Sequence, residues 1–424
     1  MAPAQRNPRI RDLMPPFSLP REHFVAALAW LGLGAAGLLL VAPDLARGAF
    51  LAHRTIAVVH CFTLGWITTS VFGALYQVYP VALGLGARSE GLGHLTFWIL
   101  QAGVATLVSG AWAWKPMMLA AGWILLLLAA GGLAWNLVSR SWGAPRGRVI
   151  GWYVGGGLLG LVLALLTIAA SIGTFAGWWG VDRLGVLTAH VHLATIGFAT
   201  VTVIGIGGKL LPMFLLARDV PAWPLLWIGP LLAAGLLSLS VGAIWQGRVA
   251  LLAGGGITAA AILLYLYVAS RYYRLRTRRQ LDPGLSLTAV AHAFLAAATV
   301  LGLGLMLGIA QGPRLLSAYG LLGILGWLSL FVAGVYFRIL PLLTWMHRFS
   351  GRIGRPDTPK VGDLVMRRLC WASHGLLATG VATLTVSVAA GSPAGAATGA
   401  TMFALGVGGM LIQYASLAGS PRRG

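Results

Sequence analysis

Apolar runs of about twenty residues, each long enough to cross the hydrocarbon of a bilayer, follow one another along this entire 424-residue chain. In lipid a backbone must satisfy its own hydrogen bonds, and a single apolar run does so as a helix. Spans are read near 24–42, 55–82, 92–114, 116–138, 150–175, 185–215, 223–243, 248–270, 286–309, 315–345, 364–390 and 395–418. Only 9% of the residues carry a charge, whereas an ordinary soluble domain has about 25%, so the bilayer must be the main solvent. The expected fold class is an all-α polytopic membrane protein of about twelve transmembrane helices. One membrane domain, 24–418, lies between an N-terminal segment, 1–23, and a tail, 419–424.

A formal charge of +21 raises nucleic acid as a partner, but its distribution argues for topology instead. Arg6, Arg9, Arg11 and Arg21 precede the first span. Arg140, Arg146 and Arg148 fill the fourth loop; Arg271, Arg274, Arg276, Arg278 and Arg279 fill the eighth. Arg348, Arg352, Arg355 and Lys360 fill the tenth, while the odd loops are poor in basic residues. By the positive-inside rule the even loops are cytoplasmic. The expectation is a multi-pass protein of a bacterial-type inner membrane, with both ends in the cytoplasm and no nucleic acid bound. Trp112, Trp114, Trp142, Trp152, Trp178, Trp179 and Trp245 fall at span ends, where interfacial anchors belong. The nine carboxylates lie in loops or at span ends, which argues against a proton pump or an ion-coupled carrier. Cys61 and Cys370 are the only cysteines, and without a CxxCH motif covalent c-type haem is excluded.

The second, sixth and tenth spans share a register. They read HCFTLGWITTSVFGALYQVYP (60–80), HLATIGFATVTVIGIGGKLLP (192–212) and LLGILGWLSLFVAGVYFRILP (321–341). Gly65, Gly197 and Gly326 are each followed by an aromatic residue: Trp66, Phe198 and Trp327. Gly73, Gly205 and Gly334 come eight residues after them, and Pro80, Pro212 and Pro341 come fifteen after. Gln77, Lys209 and Arg338 align as well. The offsets, 132 and 129 residues, correspond to four spans. The reading is three quasi-repeated four-helix units, near 24–138, 150–270 and 286–418, with glycines allowing close helix approach and prolines kinking or ending helices. The string Gly205-Ile206-Gly207-Gly208 lacks the strand–turn–helix setting of a nucleotide fingerprint and is read as a packing site. Lys209 and Arg338 are expected to snorkel to the surface.

Twelve spans in three quasi-repeats, with histidines near the outer ends of spans two and six, resemble subunit I of the haem–copper oxidases. The segments His60–Pro80 and His190–Leu215 are also similar to those of uncharacterised subunit-I-like membrane proteins. The resemblance implies haem ligation by His60 and haem or copper ligation by His192. The seventh span, however, has no histidine, and position 321 in the tenth is leucine. The oxidase binuclear centre cannot be assembled from these residues, so an ordinary terminal oxidase is not expected.

Residues two apart on a helix point about 200° apart, so His190 and His192 cannot both ligate one metal from one face. His192, in the register of His60, is taken as the partner in a pocket holding haem b. His190 is kept as a metal ligand, His53 as a cap seven residues before His60 on the same face, and His374 as a further cofactor ligand in span eleven. His94 and His292 are assigned to packing, and His23 and His347 to solvated, loop-proximal positions. Thr63, Thr195, Thr69 and Ser70 can orient ligands, although threonine in a span commonly bonds its own backbone. The function expected is electron transfer, respiration or nitric oxide metabolism, with a respiratory redox partner or quinol. The competing expectations are a transporter for a small neutral or anionic solute, haem or copper, and an accessory subunit of a respiratory complex.

Overall fold

The computed structural model describes residues 17–140, 148–178, 180, 182–218, 223–353 and 355–419. Twelve helices are long and apolar enough to cross a membrane. They are α1 (Ser18–Ala46), α2 (His53–Pro80), α3 (Glu90–Ala113), α4 (Pro116–Asn136), α5 (Val149–Thr174) and α6 (Arg183–Leu215). The second half comprises α7 (Trp223–Ile244), α8 (Arg248–Arg274), α9 (Pro283–Met306), α10 (Pro313–Arg352), α11 (Arg367–Ala390) and α12 (Pro393–Leu417). No strand occurs among the described residues. The chain is an all-α multi-pass membrane protein. Arg146, Trp142, Trp179, residues 1–16 and the tail after 419 lie outside the described residues.

One end differs from expectation for a physical reason. The first helix begins at Ser18 rather than near 24, because Glu22 is not left alone at the rim: both its oxygens lie 2.9 Å from His94 Nδ1. That earlier start also corrects the reading of His23. Far from solvated, it is fully buried, donates Nδ1–H to the Leu19 carbonyl at 2.8 Å and meets Phe97 edge-on at 4.9 Å. His347 is exposed and stacks on Phe17 at 4.7 Å.

The helices form an inner ring and an outer ring. Within their most apolar windows 78, 61 and 67% of residues are buried in α2, α6 and α10, against 28–44% in the other nine. Each inner helix packs on its predecessor, α1, α5 or α9. The hairpins α3/α4, α7/α8 and α11/α12 complete the units, and α4 on α5, α8 on α9 and α12 on α1 close the circle. Lipid offers no hydrophobic drive for such packing, so close approach must supply the contact. A Cβ on Gly65 would stand 2.5 Å from Trp30 Cγ, and one on Gly326 would stand 2.7 Å from Phe294 Cγ. Between α5 and α6 there is glycine on both sides, Gly160 against the backbone of Gly197. Gly205 lies against Tyr153 of α5, which accounts for that glycine-rich string.

Each inner helix carries an eight-residue π-helical segment: Cys61–Thr68, Leu193–Thr200 and Leu322–Ser329. Their starts are 132 and 129 residues apart (193 − 61 and 322 − 193), the same offsets as the sequence repeat. The three segments touch one another at the centre of the ring. Thr68 and Thr200 cap the widened turns from inside, donating their hydroxyls to the carbonyls of Thr63 and Thr195, five residues back, at 2.8 and 2.9 Å. Beyond them, the α2 and α6 helical runs end at Leu83 and Leu215, three residues past Pro80 and Pro212, whereas α10 continues past Pro341 to Phe349.

Candidate functional site

A cavity of about 650 Å³ occupies the half of the ring away from the basic loops. That volume is within the usual range for a small-molecule or cofactor site. The π-helical segments lie at its floor, with Ile67, Thr68, Phe198, Ala199 and Leu328 among the wall residues. Its mouth is apolar: Leu51 of the α1–α2 loop, Leu184 in the first turn of α6 and Leu316 in the first turn of α10 line it and are 48, 61 and 43% exposed. Polar groups in the wall are few, and imidazoles are prominent among them.

Both His60 and His192 sit immediately before a π-helical segment, a helix defect found frequently at functional sites. Histidine His60 of α2 faces His190 of α6 across the cavity, with ring centroids 6.5 Å apart and planes inclined by 31°. Each ring is fixed from behind. His60 donates Nδ1–H to the Ile56 carbonyl at 2.7 Å, and His190 donates Nδ1–H to the Ala164 carbonyl of α5 at 2.9 Å. Backbone carbonyls thereby set the tautomer, as for most metal-bound histidines. The two Nε2 lone pairs are left without a hydrogen-bond partner among the described residues.

The expected pairing of His60 with His192 does not form. His192 donates Nδ1–H to the Thr188 carbonyl at 2.8 Å, and its Nε2 accepts the Tyr319 hydroxyl of α10 at 3.1 Å. Residues in the same register point the same way around a three-fold ring, so each faces a different position on its neighbour. The 200° divergence of His190 and His192 holds, and it is His190 that turns toward His60. His53 does not line the cavity; it is exposed and donates Nδ1–H to the Trp112 carbonyl at 3.0 Å. His374 lies outside the cavity too, buried beside Phe337 at 6.0 Å with Nδ1 unpaired. Thr63, Thr195 and Thr69 bond backbone carbonyls of their own helices, and Ser70 bonds the Tyr336 hydroxyl at 2.7 Å. Arg338 is ion-paired with Asp282 rather than merely snorkelling.

Two imidazoles on opposite sides of one metal at about 2.0–2.1 Å, each with its ring centre roughly 1.2 Å behind the nitrogen, have centroids about 6.4 Å apart. The His60–His190 separation matches that spacing. Among the described residues no group of three or more His, Cys, Asp or Glu side chains gathers that could hold a metal ion by itself. The pair therefore suits an ion that brings its own equatorial donors, as a porphyrin does with four nitrogens, better than the separately held copper that the oxidase resemblance implies. The chain matches no family model and no curated protein.

Tyr319 is the residue that sequence reasoning missed. The signal was present: 190 + 129 = 319, so Tyr319 occupies in α10 the place of His190 in α6, as Val58 does in α2.

Proposed function

We propose that this protein is a b-type haem protein of the inner membrane, built on the scaffold of haem–copper oxidase subunit I. His60 of α2 and His190 of α6 would hold the haem, and its role would lie in electron transfer, respiration or nitric oxide metabolism. The observation that carries the reading is the facing pair of pre-oriented imidazoles, metal-spaced, in a cavity of cofactor size. Held between two imidazoles, a haem would supply single-electron exchange rather than a place for substrate. The chain's own part is to orient both rings through the Ile56 and Ala164 carbonyls and to keep water from the iron with apolar walls. With Leu321 in the tenth span and no histidine in the seventh, no oxygen-reducing centre of the ordinary oxidase type is built. The positive-inside rule puts the basic loops in the cytoplasm, so the cavity opens toward the outer face.

The test is a reduced-minus-oxidised spectrum with haem quantification on protein from haem-replete cells. The expected result is a six-coordinate b-type spectrum at one haem per chain, lost in His60→Ala. A flat Soret region in folded wild-type protein would remove the reading. The open-ended cavity also favours a second reading, carriage of haem across the bilayer. Haem uptake into proteoliposomes by the wild type, absent in His60→Ala, would select it.

A further inference from the structure

The pair His192–Tyr319 stands at the α6–α10 interface in the positions that His60–His190 hold at α2–α6, since 60 + 132 = 192 and 190 + 129 = 319. The planes are inclined by 31° in both pairs, and the centroids are 5.9 Å apart instead of 6.5 Å. What changes is chemistry: a phenol replaces the second imidazole. With Nδ1–H committed to Thr188, His192 can only accept at Nε2, and Tyr319 donates to it at 3.1 Å. The two donor atoms already satisfy each other through that hydrogen bond, with the phenol keeping its proton, so the pair stands complete without an ion. It offers instead one acceptor and one donor, side by side, at the edge of a space bounded by Leu239, Leu251, Leu303 and Met306, where the hydroxyls of Thr258 and Thr299 are committed to carbonyls of their own helices. At the third interface the equivalent residues, Leu321 and Val58, are buried and have no polar atom to offer.

We infer that His192 and Tyr319 bind the head group of a lipid-soluble quinol. The exposed leucines at the cavity mouth admit a molecule that travels in the bilayer and discourage a polar one. A quinol hydroxyl can enter the His192–Tyr319 bond and exchange it for two, donating to Nε2 and accepting from the phenol. A quinone carbonyl can only accept, and leaves the His192 lone pair unmatched in an apolar setting. The pair therefore selects the reduced form. This site rests on the haem reading for its purpose, as a place for the reductant, but not for binding.

Equilibrium dialysis of duroquinol and duroquinone under anaerobic conditions tests it. The samples are wild-type protein and His60→Ala in nanodiscs, with protein-free nanodiscs as the blank. Duroquinol is expected to bind both proteins saturably and about tenfold more tightly than duroquinone, the scale of one buried group left without its hydrogen bond. His192→Phe is expected to erase the preference while remaining folded by thermal melting, and Tyr319→Phe to weaken both ligands. Absence of saturable binding to folded wild-type protein, an undiminished preference in His192→Phe, or equal displacement by dodecanol would overturn the inference. Haem present without quinol binding sinks this site alone. Quinol binding with the expected preference, in protein that never takes up haem, sinks the haem reading alone.

Discussion

The α2–α6 and α6–α10 interfaces descend from one pattern, yet one is open and the other is bolted. At α6–α10, Trp327 Nε1 donates to Thr200 Oγ1 at 2.9 Å and the Tyr319 hydroxyl donates to His192. At α2–α6 the same positions hold Phe198 and Thr68, where the ring has no hydrogen to give, and His60 and His190, which face each other without a bond. At α10–α2 the corresponding atoms, Trp66 Nε1 and Ser329 Oγ, are buried without a partner among the described residues. Quasi-equivalence fixes where polar groups stand; the identity of each decides whether they bond to one another across the interface.

The contrast can be broken most directly at the histidines. His190→Ala is expected to abolish the haem spectrum, whereas His192→Ala leaves haem per chain unchanged; the pyridine haemochrome assay reads both. Equal loss in both variants would mean that the two interfaces act as one site. A smaller effect separates the bolts. Thr200→Val strands the buried Trp327 indole N–H and is expected to destabilise the fold by about 1–3 kcal/mol. Thr68→Val strands no such donor and is expected to cost less, since only its bond to the Thr63 carbonyl is removed. Thermal melts in one detergent rank the pair, and the reverse order would show that the Trp327 bond is not what closes α6–α10. Least of all should change in His374→Leu. Its Nδ1 is already unpaired, so the change relieves one buried polar atom while giving up the ring's interaction with the Pro283 backbone, and the two effects of about 1 kcal/mol offset. Any loss of haem there would contradict its place outside the cavity.

Much of this was legible in the sequence, for reasons that also explain what was not. Apolar run length alone locates the spans, because lipid leaves a backbone no alternative. The repeat was visible because Gly65 and Gly326 must each admit an aromatic ring of a neighbouring helix, and at Gly197 the tight approach comes from Gly160 of α5. Partnership was not visible. Taking shared register as shared facing paired His60 with His192, although in a closed ring each equivalent residue meets the next helix two positions earlier. The same arithmetic applied to His190 would have reached Tyr319. His23 was misplaced because the first span was read as beginning near 24, while a single contact between Glu22 and His94 lets α1 start earlier. The π-helical segments had no signature in composition at all.

Those segments carry a consequence for how the inner helices tolerate change. One residue added to or taken from a helix turns everything beyond it by roughly 100°. Each widened turn behaves as a phase joint between the imidazole-bearing half and the proline-bearing half, so a helical wheel drawn through either half misplaces the other. Side-chain exchanges on one half leave the aim of the other intact. Loss of a single residue within Cys61–Thr68 would swing His60 away from His190 while leaving the two histidines, their carbonyl anchors and the cavity wall chemically unaltered.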